Sequence, residues 1–215
     1  MIIFVDGVDG SGKTTLIRHL AKTLTCIGED VHITPALWRY LSTITTPDQF
    51  EPWVTTADGA DVAIKMLEAM TRRVRHLQHE ATQDHSFYLV DRGPKTVHAS
   101  AVAHLSGPQV TAGRLGPAVG RMTDAIADLA GTTRCQAVEI RAELEDADIL
   151  WRRLEALQSI SRPYQTYLNA FLRQMISSPA WPGIPSTSLA VNDTLQGNLE
   201  RVSAVVASML FPTKP

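Results

Sequence analysis

The sequence predicts an α/β fold in which a five-stranded parallel sheet lies between layers of helices. Five short apolar runs alternate with segments of helical spacing, and such alternation is typical of a parallel sheet covered on both faces. A glycine-rich loop, "GVDGSGKT" at residues 7–14, follows the first run directly. The 215 residues are 44% hydrophobic and 20% charged, which suits one core, so we expect residues 1–215 to form a single domain.

The predicted strands are short runs rich in β-branched and apolar residues. They are Ile2–Val5, Asp30–Thr34, Ser86–Asp91, Arg134–Ile140 and Ser186–Val191. The first run is continuously apolar, which is typical of a strand buried on both of its faces. These runs therefore predict the five strands of the sheet.

Apolar residues at helical spacing predict the helices. One helix follows the glycine-rich loop, one runs from Asp58 to about Gln83, further helical sequence separates the third and fourth strands, and Thr194–Met209 closes the chain. The stretch from Pro35 to Gly59 has no clear period. A long irregular segment inside a compact domain is typical of a functional lid or a binding segment.

The glycine-rich loop matches the pattern G-x-x-x-x-G-K-[ST] through Gly7, Gly12, Lys13 and Thr14. In this pattern backbone N–H groups surround phosphate oxygens, the lysine reaches the β- and γ-phosphates, and the threonine hydroxyl binds Mg²⁺. The match joins a predicted strand to a predicted helix, as this mechanism requires. We therefore expect a fold of the P-loop NTPase type that uses ATP and Mg²⁺. The predicted nucleotide-binding residues are Gly7, Asp9, Gly10, Ser11, Gly12, Lys13, Thr14 and Thr15.

Composition argues against several other classes of protein. A net charge of −2 provides no global basic field, so we expect no duplex nucleic acid partner. Cys26 and Cys135 lack C-x-x-C spacing, and we expect them to be buried thiols rather than parts of a disulfide framework. The apolar start breaks at Asp6 without a basic region before it, which predicts neither a signal peptide nor a membrane span. These features favour a cytoplasmic location.

The opening "FVDGVDGSGKTT" resembles the thymidylate kinase family, whose members begin close to F-E-G-x-D-G-[SA]-G-K-[ST]-T. "VDRGPKTVHA" is similar to the family's D-R-Y-x-x-S-x-x-A, with Asp91, Arg92, Thr96 and Ala99 in register. The resemblance implies an ATP-dependent phosphotransferase, a small-molecule acceptor and a homodimer. Asp91 and Thr14 are the predicted metal-binding residues.

Two later segments extend the resemblance over nearly the whole chain. "TRRVRHL" is similar to the family's helical A-D-R-A-x-H-L, so that Arg73 and His76 match its arginine and histidine. "LWRRLEALQSISRPYQTYLNAFLRQM" resembles the lid and the helix after it, with Arg162 at the arginine of D-R-F-E. The resemblance therefore predicts a lid at about residues 151–163.

Asp91 and Arg92 end the third predicted strand, where ligands collect in open parallel sheets. Asp91 can organise Mg²⁺ and Arg92 can hold an acceptor phosphate through two hydrogen bonds, although a structural ion pair is the alternative. Lid arginines neutralise the transferred phosphoryl group in kinases. This role is predicted for Arg162 and for one of Arg152 and Arg153. The alternative is that these arginines lie on a solvated helix face. The predicted catalytic residues are Lys13, Asp91, Arg92, Arg153 and Arg162.

The predicted acceptor-binding residues are Asp9, Ala69, Arg73, His76, Arg92 and Thr96. Ala69, Arg73 and His76 share one helix face by their spacing, and a solvated basic face is an equally good interpretation of that face. The resemblance implies that the face looks onto the acceptor. Trp38 and Trp53 are as consistent with packing as with stacking on a ligand.

Several positions depart from the family pattern on the acceptor side. Ala69 stands where the family has phenylalanine, Ser100 and Ala101 replace its Y-Q, Gly93 replaces the tyrosine of D-R-Y, and Tyr164 replaces the glutamate of D-R-F-E. The R-E-P-G-G-T segment after the second strand is replaced by "TPALWRYL". The sequence thus keeps the phosphate-donor residues while base recognition changes.

The sequence as a whole predicts Mg²⁺-dependent transfer of the ATP γ-phosphoryl group to a small acceptor, foremost a nucleoside monophosphate or a related phosphorylated molecule. One alternative is a kinase for a hydroxyl or carboxylate of a non-nucleotide metabolite. Another is a regulatory switch that hydrolyses ATP slowly, against which the lid arginines argue.

Overall fold

A computed structural model describes residues 1–82, 86–105, 112–156, 162–191 and 194–210. Its sheet consists of β1 (Ile2–Gly7), β2 (Val31–Ile33), β3 (Phe87–Asp91), β4 (Cys135–Arg141) and β5 (Ser186–Ala190). The strands are all parallel and lie in the order β2-β3-β1-β4-β5. The predicted five-stranded parallel sheet is confirmed, with strand ends that differ from the prediction by one or two residues.

The helices flank this sheet. They are α1 (Lys13–Cys26), α2 (Phe50–Thr56), α3 (Gly59–Ala81), α4 (Pro94–Ala103), α5 (Ala112–Thr132), α6 (Ala147–Glu155), α7 (Arg162–Ser177) and α8 (Leu195–Leu210). Asp58 caps α3 by accepting a hydrogen bond of 3.0 Å from the Asp61 backbone N–H. None of the helices in the described ranges is long and apolar enough to cross a membrane.

The core lies on both faces of the central strand β1. Ile2, Ile3, Phe4 and Val5 are each at most 1% exposed, because β3 and β4 flank the strand and helices cover the sheet. The α3 stripe predicted from spacing is buried as well: Val62, Met66, Met70, Val74 and Leu77 face the core. At the sheet edge, β2 is only partly covered. Removal of the central apolar side chains from water provides the main stabilisation of this fold.

The segment from Pro35 to Gly59 is more regular than its sequence predicts. It contains single 3₁₀ turns at Leu37–Tyr40 and Pro47–Gln49, followed by α2. Each of these elements has seven residues or fewer, too few to display a helical period. Leu37, Leu41 and Ile44 anchor the segment in the core.

Two further predictions concern the burial of the cysteines and the position of the lid. Cys26 is exposed at the end of α1 and Cys135 is half-buried, so the expectation that both cysteines are buried is wrong. Helix α6 covers the first part of the predicted lid. Residues 157–161 and the Arg162 side chain lie outside the part that the structure describes.

Candidate active site

The phosphate loop, Val8–Gly12, connects β1 to α1 at the carboxyl edge of the sheet. Gly10 and Gly12 have φ angles of +81° and +94°, in the left-handed region where a side chain would be strained. A Cβ on Gly10 would also lie 2.9 Å from the Leu150 carbonyl oxygen of α6. The loop is therefore shaped by two glycines, and it directs the N-terminus of α1 toward the cavity above it.

Lys13 is the first residue of α1 and is only 6% exposed. Its Nζ donates a hydrogen bond of 2.8 Å to the Val8 carbonyl and lies 3.8 Å from Asp9 Oδ1. Burial lowers the pKa of Lys13, and the neighbouring carboxylates of Asp9 and Asp91 oppose that shift without cancelling it. The ammonium group is thus held against the loop that is expected to bind the phosphates.

Thr14 and Asp91, the two predicted metal-binding residues, are in contact. The Thr14 hydroxyl donates a 2.9 Å hydrogen bond to Asp91 Oδ2, and the buried Asp91 Oδ1 has no hydrogen-bond partner. Parallel pairing places Asp91 beside Val5 of β1, next to the phosphate loop. Mg²⁺ takes oxygen ligands, commonly from one or two protein groups together with substrate phosphates, so this hydroxyl and carboxylate fit the ion.

The buried Asp9 and Tyr164 form a cluster with the partly exposed Arg92 on the other side of the loop. Arg92 Nη2 lies 2.6 Å from Asp9 Oδ1, and the Tyr164 hydroxyl donates a 3.0 Å hydrogen bond to Asp9 Oδ2. Burial alone would raise the pKa of Asp9, but the charges of Arg92 and Lys13 and the hydrogen bonds hold it below its usual value. Burial raises the pKa of Tyr164, which keeps its proton. Asp9 therefore remains an anion with both oxygens engaged.

Arg92 has a φ angle of +64°, in the left-handed region that non-glycine residues rarely adopt. Its backbone N–H donates to the Val5 carbonyl, and its guanidinium lies 5.6 Å from the centre of the Phe50 ring. Strain of this kind persists where the surroundings over-determine it and is frequent at functional sites. In this conformation the Arg92 side chain reaches the cavities rather than following the direction of β3.

Two adjoining cavities open at this edge of the sheet. The larger, about 720 Å³, is lined by the phosphate loop, the first turn of α1 and residues of α2, α6, α7 and α8. The smaller, about 260 Å³, is lined by Ala36, Leu37, Trp38, Phe50, Asp91 and Arg92. Phe50, Asp91 and Arg92 line both. The segment between β2 and α3 therefore forms one wall of the site.

The structure brings most of the predicted nucleotide-binding and catalytic residues together. Residues 9–15, Asp91, Arg92 and Arg153 line the larger cavity, whereas Gly7 lies below the loop at the end of β1. Of the two candidate arginines of α6, Arg153 lines the cavity and Arg152 does not. The Arg162 side chain lies outside the described part, so its catalytic role stays a prediction.

The predicted acceptor-binding residues divide into two groups. Asp9 and Arg92 line the cavities, and Arg73 lies just beneath them, fully buried, with Nη1 donating to the carbonyls of Asp91 and Arg92 at 2.8 and 3.2 Å. Burial lowers the pKa of Arg73 to about 10. The structure does not bring the other three to either cavity, in contrast to the expectation. Ala69 and Thr96 are fully buried, and His76 is exposed with its ring 6.0 Å from that of Tyr40.

Thr96 supports the loop from below rather than facing an acceptor. Its hydroxyl accepts a 2.9 Å hydrogen bond from the Gly7 backbone N–H, and its own backbone N–H donates to Asp6 Oδ1 at 2.8 Å. Burial raises the pKa of Asp6 to about 6. Thr96 and Asp6 together fix the point at which β1 turns into the loop.

Several residues that line the larger cavity were not predicted as site residues, and those with polar or aromatic side chains are Phe50, Glu51, Tyr164 and Asn198. The Asn198 amide donates to the Ala190 carbonyl at 3.3 Å, which leaves its buried Oδ1 without a partner. Phe50 and Glu51 lie in a segment without periodicity, and Asn198 has no motif around it. For Tyr164 a signal existed, because it departs from the family pattern beside the lid.

No protein-family model and no curated protein matches the sequence. Among solved structures, the chain is similar to a deoxyadenosine kinase from M. mycoides with bound dATP, at a TM-score of 0.65 and 15% sequence identity. The similarity covers 97% of this chain and 100% of that one. At this identity the likeness shows the fold: the chain has the three-layer architecture of a P-loop kinase. It does not show membership of the thymidylate kinase family in particular.

Proposed function

We propose that this protein is a kinase that transfers the γ-phosphoryl group of ATP to a hydroxyl group of a small acceptor with a planar ring, of the nucleoside class. The observation that carries the proposal is the pair of adjoining cavities that share Phe50, Asp91 and Arg92. One is bounded by a phosphate loop and the other by aromatic side chains. A donor and an acceptor in these cavities would meet at the shared wall.

The donor side supports ATP as the phosphoryl donor. Backbone N–H groups at the start of α1 and the Lys13 ammonium suit the β- and γ-phosphates. Thr14 and Asp91 would hold Mg²⁺, which when bound neutralises charge on the phosphates. Arg153 lines the same cavity and can add positive charge near the transferred group.

The acceptor side favours an uncharged hydroxyl compound over a phosphorylated one. Among the described residues that line the smaller cavity, Arg92 carries the only positive charge, and Asp9 already pairs with it at 2.6 Å. Trp38 and Phe50 can flank a planar ring. The similar solved structure is described as a deoxyadenosine kinase, which agrees with a nucleoside acceptor.

The proposed reaction is a direct transfer. The acceptor hydroxyl oxygen bonds to the γ-phosphorus while the bond from that phosphorus to the β–γ bridging oxygen breaks, and ADP leaves. The hydroxyl proton passes to Glu51, the carboxylate of the larger cavity that is assigned neither to Mg²⁺ nor to the ion pair with Arg92. Positioning and charge stabilisation supply most of the catalysis in such transfers.

A nucleoside monophosphate is the second candidate acceptor. The buried Arg92 Nη1 has no hydrogen-bond partner, and a phosphate oxygen would satisfy it. The resemblance of the sequence to thymidylate kinases also favours this acceptor class. Binding of the phosphate would have to compete with Asp9 for the same guanidinium, which is the reason for ranking this candidate second.

A panel of acceptors tests the proposal. ADP release and product mass are measured with Mg-ATP against deoxyribonucleosides, ribonucleosides and their 5′-monophosphates, with an acceptor-free reaction and an EDTA reaction as controls. We expect one or more nucleosides to be phosphorylated with kcat/KM at least about tenfold above any monophosphate, and EDTA to abolish turnover. A preference for a monophosphate would support the second candidate. Hydrolysis of ATP that no acceptor stimulates would contradict both and favour a switch.

A further inference from the structure

We infer that Tyr164 is a positioning residue that sets the orientation of Arg92 by holding the Asp9 carboxylate. Tyr164 lies in the first turn of α7 and is 4% exposed. Its hydroxyl donates to Asp9 Oδ2 at 3.0 Å, across the wall of the larger cavity. The effect on catalysis rests on the proposed function, whereas the effect on Asp9 does not.

The two oxygens of Asp9 have different partners. Oδ1 pairs with Arg92 Nη2 at 2.6 Å, and Oδ2 accepts the tyrosine hydrogen bond. A carboxylate held at both oxygens cannot rotate about its Cβ–Cγ bond without losing one of these contacts. Without Tyr164 the carboxylate is free to turn toward Lys13, whose Nζ lies 3.8 Å from Oδ1.

Arg92 depends on this contact because few other groups hold its guanidinium. Nη2 is bound to Asp9, Nη1 has no hydrogen-bond partner, and the Phe50 ring lies against the group at 5.6 Å. A small rotation of Asp9 therefore moves Arg92. Among the described residues that line the smaller cavity, Arg92 is the only cation. Charged groups that act in a transition state lose effect quickly when they are displaced.

The identity of residue 164 fits this role. The family pattern that the sequence resembles has a glutamate at this position. A second carboxylate beside Asp9 would repel it, and the charge on Arg92 would be shared between two anions. A tyrosine instead supplies a neutral donor on a rigid ring, packed 5.5 Å from the ring of Tyr167.

Tyr164→Phe and Tyr167→Phe form a matched pair of variants. Both remove one buried hydroxyl from the same helix and keep the ring, but the Tyr167 hydroxyl bonds Ser100 Oγ at 2.5 Å and not Asp9. With the preferred acceptor of the wild-type enzyme, we expect Tyr164→Phe to lower kcat/KM for the acceptor roughly tenfold, with KM for ATP changed less than about twofold. Tyr167→Phe should change either constant less than about twofold.

A ¹³C NMR titration of the Asp9 carboxyl, assigned with Asp9→Asn, supplies a readout independent of turnover. The groups around Asp9 that bear on its pKa are Arg92, Lys13 and Tyr164, with Tyr167 farther away. We expect the pKa of Asp9 to rise in Tyr164→Phe, because a hydrogen bond to the carboxylate is lost, and to stay unchanged in Tyr167→Phe.

The outcomes separate the two proposals. Equal changes in both variants, in kinetics and in titration, would show that Tyr164 only supports packing and would overturn the inference. An unchanged Asp9 pKa in folded Tyr164→Phe would overturn it as well. A wild-type protein without transferase activity would refute the proposed function, while the titration would still decide whether Tyr164 holds Asp9.

Discussion

At the residue scale, the phosphate loop is surrounded by buried charge. Asp6, Asp9 and Lys13 are each less than a tenth exposed, and each has a specific partner. Buried charges are tolerated only when they are paired or hydrogen-bonded, so each of these side chains restricts its neighbours.

Lys13→Ala should reduce kcat by roughly two orders of magnitude or more, because a preorganised positive charge at the transferred phosphoryl group is lost. Lys22→Ala is the matched control, since Lys22 is exposed on the same helix. Steady-state kinetics with saturating Mg-ATP measure the effect, and circular dichroism checks that both variants fold. Near-normal turnover by a folded Lys13→Ala protein would refute the kinase proposal.

Gly93→Ala should destabilise the fold by about 2 kcal/mol, because there is no room for a side chain. A Cβ at this position would lie 2.7 Å from Asp6 Oδ2 and 2.8 Å from the Phe4 Cβ. Gly116→Ala is the control, since nothing lies within 4 Å of its Cβ position in α5, and it should gain up to about 1 kcal/mol in helix propensity. Urea unfolding measures the free energy of unfolding of both variants and of the wild type. Equal values for the two variants would show that the contact at Gly93 relaxes freely.

Asp6 should make the fold less stable as the pH rises from about 4 to above 6. Burial raises its pKa to about 6 in the folded state, against 3.8 for the ordinary group, so the folded protein binds the proton more tightly than the unfolded chain does. The stabilising contribution of the proton is complete below about pH 4 and is lost as the pH passes 6. Its size is on the order of 3 kcal/mol.

Asp6→Asn isolates this contribution, because asparagine keeps an acceptor for the Thr96 N–H without a titrating proton. The difference in free energy of unfolding between the variant and the wild type should shift in favour of the variant between pH 4 and 6 and level off above that range. Urea titrations at several pH values measure it. A difference that does not vary with pH would show that Asp6 titrates normally.

At the element scale, α6 presents one of two adjacent arginines to the larger cavity. Both side chains are exposed, but only Arg153 lines the cavity, with Nη2 3.4 Å from the Val191 carbonyl. Consecutive residues on a helix point about 100° apart, so only one of them can face the loop. The rotation of α6 against the phosphate loop therefore selects the arginine.

Arg153→Ala should lower kcat at least about tenfold and raise KM for ATP much less, because the charge stabilises the transferred group more than bound ATP. Arg152→Ala removes the same charge from the same helix and should leave kcat within about twofold of the wild type. The two kcat values, measured with saturating ATP and acceptor, show whether the effect is specific to Arg153. If both variants lose activity equally, the charge of the helix rather than the position of Arg153 is responsible.

At the scale of the whole molecule, the aromatic side chains of the smaller cavity do not come from positions 69, 100 and 101, at which the sequence departs from the thymidylate kinase pattern. Ala69, Ser100 and Ala101 are fully buried, and Ser100 is hydrogen-bonded to Tyr167. Trp38 and Phe50, from the segment between β2 and α3, supply the aromatic surface of the smaller cavity. An acceptor bound in the smaller cavity, as proposed, would therefore contact Trp38 and Phe50 rather than residues 69, 100 and 101.

We therefore expect the protein to be a poor thymidylate kinase. Loss of a stacking partner and of groups that hydrogen-bond the base should keep kcat/KM for dTMP below about 10⁴ M⁻¹s⁻¹, the lower end of the usual range for an enzyme with its own substrate. The value is measured with saturating Mg-ATP beside dUMP, dCMP and CMP. A dTMP value above that limit would mean that Trp38 and Phe50 replace the missing contacts.

The strands, the phosphate loop and the α3 stripe could be predicted from the sequence, because their signals are local. Gly12, Lys13 and Thr14 follow β1 directly, and a buried strand or amphipathic helix repeats its pattern over a few residues. Parallel pairing then brought Asp91 beside the loop, as its position at the end of a strand predicted.

The side chains that meet in the cavities could not be predicted in this way, because they depend on how distant elements pack together. Tyr164 is 155 residues from Asp9 in the sequence and Arg92 is 83 residues from it. No short sequence pattern predicts contacts between residues so far apart. The packing of α2 and α6 likewise places Phe50 and Arg153 in the wall of the larger cavity. Ala69 and Thr96 are buried in the core and line neither cavity. The physical reason is that a local pattern sets which face of an element is apolar, whereas contacts between elements depend on how those faces fit together.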